Sequence, residues 1–159
     1  MIYFEIMKAS IIVQNSFDIK DSIGIDVTDT DSLVMYTIGN NGICTQTEIV
    51  ELTNLHKVSV SRSCVKLEHL GLLVRAPHPS DLRMYVLSLT PGGQAALARL
   101  SVALGRWESR LMKALGEEPA DNIAAAVIHL EAIGLSTLSS HGPRPRPGRQ
   151  FNLMKFIGE

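Results

Sequence analysis

What most constrains this chain is the order of signals between residues 45 and 93. Thr45-Gln46-Thr47-Glu48 is a capping-box pattern: a hydroxyl at the helix start and a carboxylate three residues on satisfy each other's backbone N–H groups. It predicts a short helix from Gln46 to Thr53, with Asn54 in the left-handed position that ends it. A second helix is expected over Lys57–Leu70, with Val60, Cys64 and Leu67 on one face and Gly71 as its stop. Two short helices so close together, the second with Ser and Arg on its outer face, describe a helix-turn-helix. Leu72–Arg75 then reads as a strand, Pro77–Asp81 as a turn and Met84–Leu89 as a returning strand. In the returning strand, alternation puts Met84 and Val86 on one side and Tyr85 and Leu87 on the other. A strand–turn–strand directly after a helix-turn-helix is a wing.

The flanks read as helices. Ile2, Ile6, Ala9, Val13 and Phe17 recur at helical spacing, so one apolar stripe is expected over residues 2–17. Residues 18–28 are polar and read as a connection, followed by a helix near 30–39 that Gly39-Asn-Asn-Gly42 stops. Thr90 is a good N-cap with Pro91 in the first turn. Leu97, Leu100, Leu104, Trp107, Leu111 and Leu115 then follow close to a heptad seam. A last helix is expected over 120–133. From Ser136 the chain is rich in Pro and Arg, and it is expected to be disordered or extended, with Phe151–Ile157 as a short apolar clip.

The fold class that follows is mainly α with a small two-stranded wing. The expected division is residues 1–28 as an N-terminal dimerisation helix and connection and 29–97 as the winged helix-turn-helix lobe. Residues 98–135 are expected as C-terminal dimerisation helices and 136–159 as the tail.

Composition narrows the function classes. There is no apolar run long enough to span a membrane, and the N-terminus lacks the basic lead and small-residue cleavage site of a secretory signal. Two cysteines among 159 residues are too few for a disulfide scaffold, so a cytoplasmic setting is expected. No cofactor is expected, because P-loop, Gly-x-Gly-x-x-Gly and Ser-His-Asp patterns are absent. No metal is expected either: the five histidines show no i, i+4 pair or Cys-x-x-Cys partner. The net charge is −1, but residues 45–90 carry five basic and four acidic side chains. DNA binding there needs a few well-placed cations and not a general positive field.

The segment from Thr45 to Leu97 resembles the MarR family of winged-helix regulators. The residues that carry the resemblance are Thr45–Glu48, Ser59-Val-Ser-Arg62, Leu67-Glu-His-Leu-Gly71-Leu-Leu-Val-Arg75, Asp81-Leu-Arg83 and Leu89-Thr90-x-x-Gly93. The chain departs from the family in a shorter, less basic wing, with Leu82 where Arg is common. The resemblance implies a homodimer built on the first and last helices, bound to double-stranded DNA and often released by a small aromatic ligand. It makes an enzyme unexpected.

On this reading Arg62 is the main major-groove contact, with Lys57, Ser59, Ser61, Lys66 and Thr45 as phosphate or base contacts around it. Val58 packs on a thymine methyl or simply covers the turn. Arg83 reaches the minor groove, held by Asp81, and Arg75 is a second wing cation. His78 at the tip is expected to be solvent-exposed. Tyr36 and Trp107 are the expected contacts for an aromatic effector. Cys64 is expected to be inert in the core, and Cys44, before a helix start, is the one position where a redox role is conceivable. The expected operator is a pseudo-palindrome with half-sites about one helical turn apart. Two competing readings are a constitutive repressor without an effector and a winged-helix module that binds protein.

Overall fold

In the computed structural model, the residues described are 2–116, 118–119, 121–123 and 125–129. Residues 1–116 form one compact unit and 117–159 a second. In the first unit the order is α1 (Ile2–Asn15), α2 (Ile19–Ile23), α3 (Asp29–Asn41), α4 (Gln46–Thr53) and α5 (Lys57–His69). Then come β1 (Leu73–His78), β2 (Asp81–Leu89) and α6 (Pro91–Leu115). In the second unit, residues 121–123 and 125–129 are helical, inside the helix expected over 120–133. The rest of that expectation, with the Pro/Arg-rich tail and the apolar clip, lies outside the described residues. No helix among the described residues is long and apolar enough to cross a membrane.

Local chemistry explains most of these boundaries. The Thr45 hydroxyl accepts the Glu48 N–H and the Glu48 carboxylate accepts the Thr45 N–H, which completes the expected capping box of α4. Asn54 ends α4 at φ 55°. Helix α5 ends in a Schellman motif: Gly71, at φ 67°, donates to the Glu68 carbonyl and Leu72 donates to Leu67. Thr90 caps α6 by accepting the Gly93 N–H, and its own hydroxyl donates to the Gly71 carbonyl at 2.7 Å. One threonine therefore ties the start of α6 to the end of α5.

Three expectations change. Residues 18–28 are not a plain connection but contain α2, capped by Asp18 and closed by Gly24 at φ 68°. Ile19, Ile23 and Val27 recur every four residues, and all three are buried in the core. The wing strands are also longer than expected. Pro77 and His78 belong to β1, opposite Tyr85 and Asp81, with a register irregularity between them. The tip shrinks to Pro79-Ser80. A two-stranded sheet is all edge, so the missing N–H of Pro77 does not interrupt the pairing.

The alternation along β2 also breaks at its base. Val86 and Leu87 are both buried, while Met84 and Tyr85 are exposed. Leu87 forms a bridge with Cys44 on its far edge, with N···O distances of 3.0 and 2.8 Å. This partner draws the base of β2 into the core, where Val34, Met35, Ile38, Ile49, Val60, Cys64 and Leu67 converge. The core thus clamps α3, α4 and α5 onto the root of the wing.

Candidate nucleic-acid interface

Helix α5 has two faces. Val60, Ser63, Cys64 and Leu67 are buried. At 3.6 residues per turn, the line opposite them runs through Val58, Arg62, Val65 and His69, all exposed. Ser59 and Ser61, both half-buried, lie to either side, and Lys57 is exposed in the first turn. An open groove of about 450 Å³ is lined by Ser61, Arg62, Val65, Lys66 and His69. The His56 Nδ1 accepts the Val58 N–H at 3.3 Å and so caps the helix.

The structure divides the expected DNA-facing cations into two groups. Among the described residues, Lys57, Arg62 and Arg83 make no ion pair. Lys66 does: its Nζ lies 2.9 Å from Asp31 Oδ2, and that carboxylate is only 4% exposed. Arg75 makes a two-pronged bond to Glu68, Nε to Oε1 at 2.9 Å and Nη2 to Oε2 at 3.1 Å, and its guanidinium sits over the Tyr85 ring. Its hold on the proton is strengthened first by that bond. Arg75 thereby braces β1 against α5.

Other expected residues take internal roles. Thr45 is buried, with its hydroxyl committed to the cap of α4. Asp81 does not hold the Arg83 guanidinium among the described residues. Its Oδ1 accepts the Arg83 backbone N–H at 3.0 Å, which shapes the wing turn because the carboxylate lies two residues from that N–H. His78 is half-buried, and its Nδ1 accepts the Ser80 N–H at the tip.

Trp107 meets Phe17 edge-to-face, with ring centroids 6.2 Å apart, which joins α6 to the segment after α1. Tyr36 is half-buried on α3. Cys44 and Cys64 are buried. Burial pushes the Cys64 thiol up to about 11, despite the nearby Arg75 charge.

Sequence reasoning missed Asp31 and Glu68, the two carboxylates that occupy Lys66 and Arg75. Thr28-x-x-Asp31 is itself a capping pattern, and both of its hydrogen bonds form, so the helix start was detectable. Its second role, toward a lysine 35 residues away, leaves no local signal.

Residues 25–84 match the sequence profile of the MarR family. The chain is 34% identical over 73 residues to a Thauera aromatica protein described as a transcriptional regulatory protein for the hcr operon. That match covers 46% of this chain and 44% of the relative. The chain spans about half the length of the curated relatives it matches. Among solved structures, the transcriptional repressor CouR bound to a 23-mer DNA duplex superimposes with a TM-score of 0.72 at 29% identity. It covers 84% of this chain and 92% of that one. Bordetella bronchiseptica BpsR, described in a study of how 6-hydroxynicotinic acid regulates its DNA binding, superimposes with a TM-score of 0.71 at 18% identity. It covers 82% of this chain and 98% of that one. At that identity the likeness concerns the fold.

Proposed function

We propose that the protein is a dimeric DNA-binding transcriptional regulator of the MarR family, whose sequence profile residues 25–84 match. The observation that carries the reading is the outer line of α5. Arg62 stands exposed there, directly opposite the buried Val60, Cys64 and Leu67, with Lys57 beside it. Helix α5 enters the major groove, where Arg62 takes guanine O6 and N7. Lys57, Ser59 and Ser61 hold backbone or base edges. The wing lays Arg83 along the minor groove. Lys66 and Arg75 contribute through the geometry of α5 and β1, since their charges are already engaged.

The dimer is formed by residues 1–28 and 98–135. In a single copy, α1 leaves Phe4, Ile6, Met7, Ile11, Ile12 and Val13 exposed, and α6 leaves Val102, Leu104 and Leu115 exposed. A second copy would bury these side chains and set the spacing of the two α5 helices on a pseudo-palindromic operator. Mobility shifts on the DNA upstream of the chain's own coding sequence, at two salt concentrations, test the reading. Binding that weakens steeply with salt supports it. Binding to no duplex at either concentration would favour a protein-interaction module.

The finer reading is a repressor released by a small aromatic ligand that contacts Tyr36 and Trp107. What supports it is the placement of both rings, half-buried, on helices that also position the DNA-binding lobe. Trp107 is the only tryptophan, so its fluorescence reports binding directly. Titration with a panel of phenolic and pyridine carboxylates should quench or shift it and lower DNA affinity together. Failure of the whole panel to change either signal would favour a constitutive repressor.

A further inference from the structure

The outermost line of α5 is not a polar surface. Val58 is 49% exposed and Val65 is 47% exposed, and the arginine proposed to read guanine lies between them. No buried neighbour explains two half-exposed valines at the crest of a helix whose flanks are serine and lysine. An exposed β-branched residue also lowers helix propensity, so neither valine is there to favour the helix.

We propose that Val58 and Val65 are specificity-determining residues that read the C5 methyl groups of thymines on either side of the guanine taken by Arg62. The proposal rests on the DNA-binding reading above. Thymine is the one base with an apolar group in the major groove. Its methyl is a partner that a valine can desolvate without leaving a polar edge unsatisfied.

The spacing fits. At a rise of about 1.5 Å per residue, Val58 stands about 6 Å and Val65 about 4.5 Å along the axis from Arg62. Base pairs repeat every 3.4 Å or so, so each valine falls about one to two base pairs from the guanine. Lys57 and Arg62 supply the charge that brings this apolar line against DNA, and the two Val→Ala changes remove side-chain methyls on residues that lie outside the buried core.

The test begins with selection of binding sites from a random-sequence duplex pool, using the full chain. The enriched sites should carry a guanine with thymine one or two base pairs away on at least one side. Replacing those thymines with deoxyuridine removes only the methyl and should weaken binding about fourfold for each methyl that a valine covers. The Val58→Ala, Val65→Ala double variant should bind the thymine and deoxyuridine duplexes equally, with its helix content unchanged by circular dichroism. Enrichment of sites without a thymine preference would overturn the inference and leave the DNA-binding reading standing. So would wild-type protein that binds both duplexes alike. Enrichment of no sequence at all, with no salt-dependent binding, would overturn both.

Discussion

Lys66 Nζ stands 2.9 Å from Asp31 Oδ2 across the interface between α5 and α3, and the same oxygen accepts the Thr28 N–H at 2.8 Å. One buried carboxylate thus closes the start of α3 and holds the last turn of α5. Burial pushes the Asp31 carboxyl up, but hydrogen bonds from Ser63, Lys66 and Thr28 outweigh it and leave it below its ordinary value.

Removing the lysine should therefore act on folding before it acts on DNA. Lys66→Met is expected to cost about 1–3 kcal/mol, because it strands a buried carboxylate while keeping most of the side chain's bulk. Lys66→Arg should recover part of the loss. Because the folded carboxyl lies below its unfolded value, its stabilisation is full above about pH 4 and fades as pH falls further. The stability gap between wild type and Asp31→Asn, measured by urea unfolding, should accordingly be present at pH 7 and narrow below about pH 4. A gap that widens in acid would contradict the assignment.

The arginines that make no ion pair among the described residues should separate by their effect on specificity. Arg62→Ala is expected to cost about 1–3 kcal/mol on a selected site and to flatten preference at one base pair per half-site. Arg83→Ala should weaken selected and random duplexes alike. It should also lower the salt slope by about one unit for each phosphate that the arginine neutralises. Titrations of both variants at several salt concentrations distinguish the two patterns. Loss of discrimination with an unchanged slope in Arg83→Ala would remove the wing from the interface.

Asp81 shapes the wing through a backbone hydrogen bond, so its charge should matter less than its acceptor oxygen. Asp81→Asn keeps an oxygen within reach of the Arg83 N–H and should bind DNA nearly as wild type does. Asp81→Ala loses the bond, and about 0.5–1.5 kcal/mol of local stability with it. If Asn proved as damaging as Ala, the carboxylate would be acting through charge instead.

The start of α6 has no room for a side chain. A Cβ at Gly93 would overlap the Leu72 carbonyl oxygen and stand 2.9 Å from the carbonyl carbon. Both are backbone atoms at the root of the wing. Gly93→Ala should lower the urea midpoint by an amount equivalent to about 1–3 kcal/mol, whereas Gly105→Ala, inside α6 with nothing within 4 Å, should leave it unchanged or raise it by up to about 1 kcal/mol. Equal midpoints for the two variants would refute this packing.

Neither thiol should sense oxidants while the protein is folded. Burial pushes the Cys64 thiol up to about 11, and both cysteines are buried. At mildly alkaline pH a disulfide reagent should modify them only in urea, and mild peroxide should leave DNA binding intact. Rapid labelling of the native protein would reopen a redox role for Cys44.

Read from sequence alone, the chain already determined the starts of α4, α5 and α6, the Gly71 stop, the presence of a wing and the buried face of α5. Each depends on groups within a few residues: Thr45 with Glu48, Gly71 with Glu68, Val60 with Cys64 and Leu67. Such contacts form or fail with local backbone geometry, so a short stretch of residues specifies them. Helix α2 escaped notice because five residues hold only two apolar positions on its buried side, too few to show a period. Tertiary structure decided which cations remain available to a ligand. Lys66 and Arg75 read like Arg62 in the sequence, yet Asp31 and Glu68 occupy them. An ion pair is set by the distance between two elements, and residues 31 and 66 meet only because their helices pack on a shared core. No periodicity or spacing along the chain encodes that distance.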